Sequence, residues 1–266
     1  PKPNDRIIDA TYGGGGHSNV IAQSGAVVLG IDRDWEAVER SKSIAKDGIT
    51  VVHGNFAQLA EITKRHGWDK IDGVLFDLGV SGHQFDEPGR GFSYRFPESA
   101  LDMRMDKEDP ESAATIVQTY PEETLYEIFS TYGEEERAGS IAHALVLARR
   151  IKPPTTVGDL LDVLPKGFGK RKYETATRIF QALRIAVNKE LKALSDALLQ
   201  LPEIVNPGGR VVVLTYHSLE DRIVKRSFSD QKFWTPLTRH PVYPTEEEVA
   251  RNPRSRSAKL RAAARI

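Results

Sequence analysis

The chain has 266 residues, 39% of them apolar and 28% charged, with 37 basic and 37 acidic residues, seven histidines and no cysteine. That length allows one large domain or two smaller ones, and the balance is that of a globular protein in water. Disulfides, thiolate nucleophiles and cysteine-based zinc sites are excluded, the histidines show no metal-ligand spacing, and no apolar run approaches the roughly 18–20 residues of a membrane span.

Pro1-Lys2-Pro3 stands directly ahead of the first apolar run and no signal-peptide pattern is visible. The cytoplasm is the expected compartment; an organelle form, with a targeting segment upstream, stays open. Ile7-Ile8-Asp9 reads as a short strand ending in an acid, followed by Gly13-Gly14-Gly15-Gly16-His17-Ser18. Ala26–Ile31 is a second strand, closed by Asp32. Thr50–His53 is a third, followed by Gly54-Asn55-Phe56 and a helix over 57–65. Ile71–Phe76 is a buried strand closed by Asp77. This β-α alternation predicts a parallel sheet with helices on both faces. It places Asp9, Asp32, Phe56 and Asp77 along one crevice at the carboxyl edge, where open α/β sheets bind ligands.

Contiguous glycines do not match the Gly-x-Gly-x-x-Gly spacing of a dinucleotide site, and no Gly-Lys-Ser/Thr follows them. Glycines let a backbone approach a ligand closely. A carboxylate at the tip of the second strand can accept both hydroxyls of a ribose, and the acid ahead of the turn suits a ligand with a cationic end. S-adenosylmethionine fits these requirements.

From Gly79 to Asp106 the alternation stops, and the stretch is rich in Gly, Asp, Arg and aromatics, including Phe85, Arg90, Phe92, Tyr94, Arg95 and Arg104. A loop of this length is functional or disordered, and these residue types stack on bases and hold phosphates; packing of the aromatics onto the domain is the alternative. Residues 111–201 read as helical throughout: one helix opened by Pro121-Glu122-Glu123, one over 134–150 stopped by Pro153-Pro154, a short one over 155–164 and a long one over 176–201. Pro207-Gly208-Gly209 is a turn, 210–216 a strand, and His217–Phe228 leads into a helix. The tail from Gln231 reads as irregular. Arg251–Ile266 carries Arg251, Arg254, Arg256, Lys259, Arg261 and Arg265 with no acid, and a second basic cluster spans Lys166–Lys172. Either is a solvated face or a set of phosphate contacts.

Asp9–Ser18 (DATYGGGGHS), Asp72–Gln84 (DGVLFDLGVSGHQ), Arg90–Arg95 (RGFSYR), Leu101–Asp106 (LDMRMD), Ala176–Asn188 (ATRIFQALRIAVN), Tyr216–Arg226 (YHSLEDRIVKR) and Asn252–Leu260 (NPRSRSAKL) together resemble the MraW/RsmH family of ribosomal RNA small-subunit methyltransferases, in order and over nearly the whole chain. The resemblance implies a Rossmann-like class I methyltransferase sheet with an inserted all-helical subdomain: residues 1–106 and 202–266 for the cofactor domain, 107–201 for the substrate-recognition insert. It also implies transfer of methyl from S-adenosylmethionine to N4 of a decoding-centre cytosine in 16S-type RNA within the small ribosomal subunit. Gly15, Gly16 and His17 match the family's cofactor turn, Asp32 the acid on the ribose, Phe56 an aromatic beside the adenine, and Asp77 and Gln84 the remaining cofactor contacts. The chain departs from the family's pattern at Gly82-His83 (usually Ser-Pro), at Ser99-Ala100 (usually Gly-Pro) and at Tyr216 (usually Phe), and it lacks the family's leading His-x-Pro-Val segment.

Cytosine N4 is a poor nucleophile, and a group that accepts one of its hydrogens can localise its lone pair. The Asp/Asn/Ser-Pro-Pro-aromatic tetrapeptide that many amino-methyltransferases use is missing; Asp77-Leu78-Gly79-Val80-Ser81 occupies its place. Asp77 and its loop are therefore expected to orient cofactor and base, with His217 near the acceptor as an orienting or proton-accepting group. The alternatives are pure cofactor binding for Asp77, a helix-start role for His17, and capping of the following helix for His217. An S-adenosylmethionine enzyme acting on DNA or a small molecule, and a non-enzymatic assembly factor, are the competing functions. No metal and no membrane partner are expected. The sequence does not fix the oligomeric state and leaves a homodimer open.

Overall fold

The protein is described from a computed structural model, which covers residues 1–165 and 170–266, with backbone alone for 170–173. The side chains of the basic cluster at Lys166–Lys172 therefore lie outside the described residues. The chain divides into two compact units, Pro1–Gly79 with Leu191–Ile266, and Val80–Glu190.

The first unit is built on a seven-stranded sheet of order β3-β2-β1-β4-β5-β7-β6 among the described residues. In chain order it comprises β1 (Arg6–Asp9), α1 (Gly16–Ala22), β2 (Val27–Asp32), α2 (Trp35–Ile44), β3 (Ile49–His53), α3 (Leu59–Arg65) and β4 (Ile71–Asp77). The strands are rich in Ile and Val, whose branched side chains suit a pleated, buried surface, and Ile8, Val28, Ile31, Ile71 and Phe76 are fully buried. Strands β1 to β5 pair in parallel. Successive connections run from β1 outward to β3 and then return to β4 on the other side of β1. The order reverses between β1 and β4, so the crevice at a topological switch point opens beyond their carboxyl ends, at Asp9 and Asp77.

The helical unit contains α4 (Gly82–Asp86), α5 (Ala113–Thr119), α6 (Glu122–Thr131), α7 (Ala138–Ile151), α8 (Val157–Val163) and α9 (Lys170–Asn188). The first unit resumes with α10 (Glu190–Ile204, within it from Leu191), β5 (Val205–Thr215), α11 (Ser218–Phe228), β6 (Trp234–Pro236), α12 (Glu246–Arg251) and β7 (Lys259–Arg265).

These boundaries differ from the expected ones for reasons visible in the packing. The stretch 84–106 falls in the helical unit because Phe92, Leu101, Met103 and Met105 are part of its apolar core, beside Ile116, Phe129 and Leu183. Tyr94 meets the Phe180 ring edge-on at 5.9 Å. Arg90 is buried and donates to the carbonyls of Arg104 and Met105, and Arg104 is held by Asp102. Four of the six loop residues expected to meet nucleic acid are thus part of the unit's own scaffold; Arg95 is exposed, its guanidinium over the half-buried Phe85 ring. The long helix over 176–201 is two helices, broken at Lys189 with φ 52°. The side chain of Asn188, just before the break, accepts from Met105 N–H at 2.8 Å and donates to Met103 C=O at 2.7 Å. Beyond the break, Leu194, Leu198 and Leu201 join the core of the sheet.

The tail is ordered, not irregular. Lys259–Arg265 is β7, antiparallel to both β5 and β6. Arg261 is buried and makes a two-pronged ion pair with Asp221, at 2.6 and 3.1 Å, while Arg265 donates to the carbonyls of Pro202 and Phe233. Only Arg251, Arg254 and Arg256 of the basic tail stand exposed. The expected turn at Pro207–Gly209 is a bulge inside β5: pairing with β4 jumps from Ile71–Val205 to Gly73–Arg210, with Gly208 at φ 79°.

Candidate functional site

The switch-point crevice of the sheet unit gathers most of the residues expected to bind cofactor. Asp9 ends β1, fully buried, and accepts from Ser18 Oγ at 2.7 Å and Thr11 N–H at 3.3 Å. Burial raises its carboxyl above the usual range, a rise its two hydrogen bonds oppose. This pairing ties the start of α1 to the end of β1 and so fixes the glycine turn between them.

Within the turn the glycines differ. Gly15 has φ 73°, and a Cβ there would lie 2.5 Å from Tyr12 Oη, so the fold itself demands glycine. A Cβ on Gly14 or Gly16 would meet nothing within 4 Å. Those two positions are not glycine for packing reasons, and they leave an open backbone surface. The buried Tyr12 hydroxyl beneath the turn has no hydrogen-bond partner among the described residues.

Asp32 ends β2. Its Oδ2 accepts from Gly13 N–H at 2.7 Å and its Oδ1 from Asp34 N–H at 2.8 Å, so the acid splints the glycine turn. Burial pushes its pKa up to about 6, against those backbone donors. A carboxylate has about four lone-pair sites, and two remain for a ligand. Asp34, next in line, caps α2 by accepting from Glu36 N–H. Phe56 follows β3, half-buried, and packs edge-on against Phe76 with ring centres 5.6 Å apart.

Asp77 ends β4, with its N–H donated to Thr11 Oγ1 at 2.7 Å. Its carboxylate is held from two sides: Tyr216 Oη donates to Oδ1 at 2.6 Å, and His17 Nε2 stands 3.2 Å from Oδ2. The bond to Asp77 raises the pKa of the His17 imidazole, against partial desolvation. Sequence spacing assigns no site role to Tyr216, yet its hydroxyl and not the His217 imidazole reaches this carboxylate. The phenol is pushed far above its ordinary range by burial and by the charge of Asp77, so it stays protonated and donates its hydrogen bond to the carboxylate.

His217 faces otherwise. It caps α11 in a reciprocal box: Glu220 N–H points to His217 Nδ1 at 3.4 Å, Glu220 Oε2 accepts from the N–H groups of Tyr216 and His217, and His217 Nε2 lies 3.2 Å from Glu220 Oε1. The imidazole is only 8% exposed. Gln84 belongs to the helical unit, where it is buried and closes a capping box with Ser81 at the start of α4.

These residues fit S-adenosylmethionine on three counts. The open surface over Gly14 and Gly16 admits a ligand against bare backbone. Asp32 and Asp77, with the buried Asp9 behind them, give the crevice an acidic edge suited to an ammonium, a sulfonium and ribose hydroxyls. The four contiguous glycines have neither the dinucleotide spacing nor the Gly-Lys-Ser/Thr that a phosphate-bearing cofactor is held by.

Comparison with known proteins gives the same answer. Ribosomal RNA small subunit methyltransferase H of Thermomicrobium roseum is 45% identical over 292 residues, with 100% of this chain and 89% of the relative covered. The protein of the same name from Deinococcus deserti is 45% identical with the same coverage, and that of Carboxydothermus hydrogenoformans is 41% identical over 97% of this chain and 91% of its own. The MraW methylase family matches residues 1–266. With its sheet order, its glycine turn and its three strand-end acids accounted for, the chain belongs to the MraW methylase family.

Proposed function

We propose that the protein methylates N4 of a decoding-centre cytosine in 16S-type RNA of the small ribosomal subunit, using S-adenosylmethionine. Membership of a methylase family whose curated relatives are named ribosomal RNA small subunit methyltransferases carries the reaction class and the RNA substrate. The single structural observation that carries the site is the Asp77 carboxylate, fixed by Tyr216 and His17 at the switch point of the sheet.

Bound S-adenosylmethionine supplies the electrophilic methyl group. The residues of this chain supply position and electrostatics. Gly16 presents bare backbone, Gly15 holds the turn that exposes it, Asp32 accepts ribose hydroxyls, and Phe56 offers an apolar edge to the adenine. Asp77 accepts N–H hydrogens of the cofactor's ammonium or of the base. His17 acts through its hold on Asp77, and the Gln84 contact is proposed from the family resemblance. His217 contributes by fixing the start of α11, directly after Tyr216. In the helical unit, which we take as the substrate-recognition part, exposed Arg95 over Phe85 is the stacking candidate for an extruded base. Exposed Arg251, Arg254 and Arg256 are candidate phosphate contacts.

The test is incubation with methyl-labelled S-adenosylmethionine and either small-subunit particles or free 16S-type RNA, with the label mapped by nuclease digestion and mass spectrometry. Label in N4-methylcytidine at one position supports the reading. Label in any other nucleotide, or none with either substrate, rejects it.

A further inference from the structure

The proposed reaction leaves unassigned how Asp77 is kept available to a ligand. The carboxylate sits at a strand end, beside the buried acid Asp9 and 3.2 Å from the exposed imidazole of His17. An acid in such a place can turn its side chain toward water. Tyr216 opposes that. Its hydroxyl reaches Asp77 Oδ1 across 139 positions of sequence at 2.6 Å, a short, charge-assisted bond. The phenol ring is half-buried and its N–H is fixed by Glu220 at 2.7 Å, so the donor is anchored by the same box that starts α11.

We infer that Tyr216 is a positioning residue for ligand recognition: it locks Asp77 so that the two remaining lone-pair directions of the carboxylate meet the ammonium of an amino-acid tail. The inference rests on the reading of the crevice as an S-adenosylmethionine site. The class of group follows from local charge. Asp9 and Asp77 are two acids faced by one imidazole, and an incoming cation is what relieves that excess. A neutral or anionic tail gains nothing there. Adenosine is recognised elsewhere in the unit, at Asp32 and Phe56, so the effect of Tyr216 is confined to the amino-acid end of a ligand.

That division supplies the test. Binding of S-adenosylhomocysteine, which carries the ammonium, and of 5′-methylthioadenosine, which lacks the whole tail, is measured by calorimetry on wild type, Tyr216→Phe, Asp77→Asn and the double variant. Tyr216→Phe is expected to weaken S-adenosylhomocysteine about tenfold, on the scale of one hydrogen bond to a charged group, and to leave 5′-methylthioadenosine within twofold. In the Asp77→Asn background the same substitution is expected to cost nothing further, because the group it positions is gone. Equal weakening of both ligands would make Tyr216 merely structural and overturn the inference, as would an unchanged S-adenosylhomocysteine affinity in Tyr216→Phe or full additivity with Asp77→Asn. Wild-type protein that binds neither ligand would overturn the cofactor reading, and the inference with it.

Discussion

The glycine turn offers the sharpest test of the cofactor reading, because its glycines separate into two kinds. Gly15 is glycine for the fold. An alanine there would hold a φ of 73°, costing about 1–2 kcal/mol, and would press its methyl to 2.5 Å from Tyr12 Oη in a fully packed pocket, an overpacking cost of about 1–3 kcal/mol. Gly15→Ala should lose about 3 kcal/mol of stability, which is roughly 6–12 °C in Tm for a chain of this size. Gly14 and Gly16 have open space where a Cβ would go. Gly16 is the first residue of α1, where alanine is favoured over glycine by up to about 0.5–1 kcal/mol. Gly14→Ala and Gly16→Ala should therefore melt at or slightly above the wild-type temperature. Both methyls would stand where a ligand must lie against bare backbone, so both variants should bind S-adenosylhomocysteine at least about tenfold more weakly, a loss of about 1.4 kcal/mol. Calorimetric titration beside differential scanning of the same samples reads both quantities. Wild-type affinity in Gly14→Ala and Gly16→Ala would show that the turn is glycine-rich for its own conformation and would remove it from the binding site.

Other substitutions separate structural from chemical roles. His217→Ala should cost about 1 kcal/mol through the lost helix cap; His217→Asn, which can cap, should recover most of that stability and keep single-turnover methylation near wild type, whereas an inactive, stable His217→Asn would restore the proton-accepting role. Arg261→Ala strands the half-buried Asp221 and should destabilise by about 1–3 kcal/mol, while Arg254→Ala and Arg256→Ala should leave Tm unchanged and each lower the salt slope of RNA binding by about one. A salt slope unmoved by either exposed arginine would rule out the tail as a phosphate contact. For pH, Asp32 is raised in the folded state from 3.8 to about 6 by burial, so between those values the folded protein binds more protons than the unfolded chain, and its stability falls as pH rises. Asp32→Asn removes that loss. The Tm of the variant relative to wild type should climb from pH 4 to 6 and stay level above, and a flat difference would mean that Asp32 is not buried as a charge.

The crevice at the strand ends was legible because it is written in short-range code. Three apolar runs of the sheet end in an acid, Asp9, Asp32 and Asp77, and strand ends of a parallel sheet fall on one edge by construction. The tail was misread because its decisive contact is distant. Charge composition sees Arg261 as one more cation in Arg251–Ile266, whereas its partner Asp221 lies 40 positions back, and only the pairing of β7 with β5 puts them together. The stretch 84–106 hides its core residues differently. Met103 sits at φ 62°, in a backbone with no helical or strand period, so no spacing announces that it is buried. Nor does Lys189 carry the glycine or proline that would have marked the break between α9 and α10.

Tyr216 and His217 show where residue chemistry misleads without geometry. Histidine draws attention as the group that titrates near neutrality, and its neighbour Tyr216 stands out only as a departure from the family's phenylalanine. Yet the chain leaving β5 is still extended at His217, with φ −140° and ψ 167°, and in extended backbone successive side chains point to opposite sides. Once Tyr216 reaches Asp77, His217 must face away from it, and what it meets there is Glu220 and the open end of α11. The sequence names both residues, but only the direction of the strand decides which of them serves the carboxylate. The Tyr216 hydroxyl, raised by burial and by the charge of Asp77, stays a hydrogen-bond donor to Oδ1, while the imidazole that does reach the carboxylate, that of His17, stands at Oδ2.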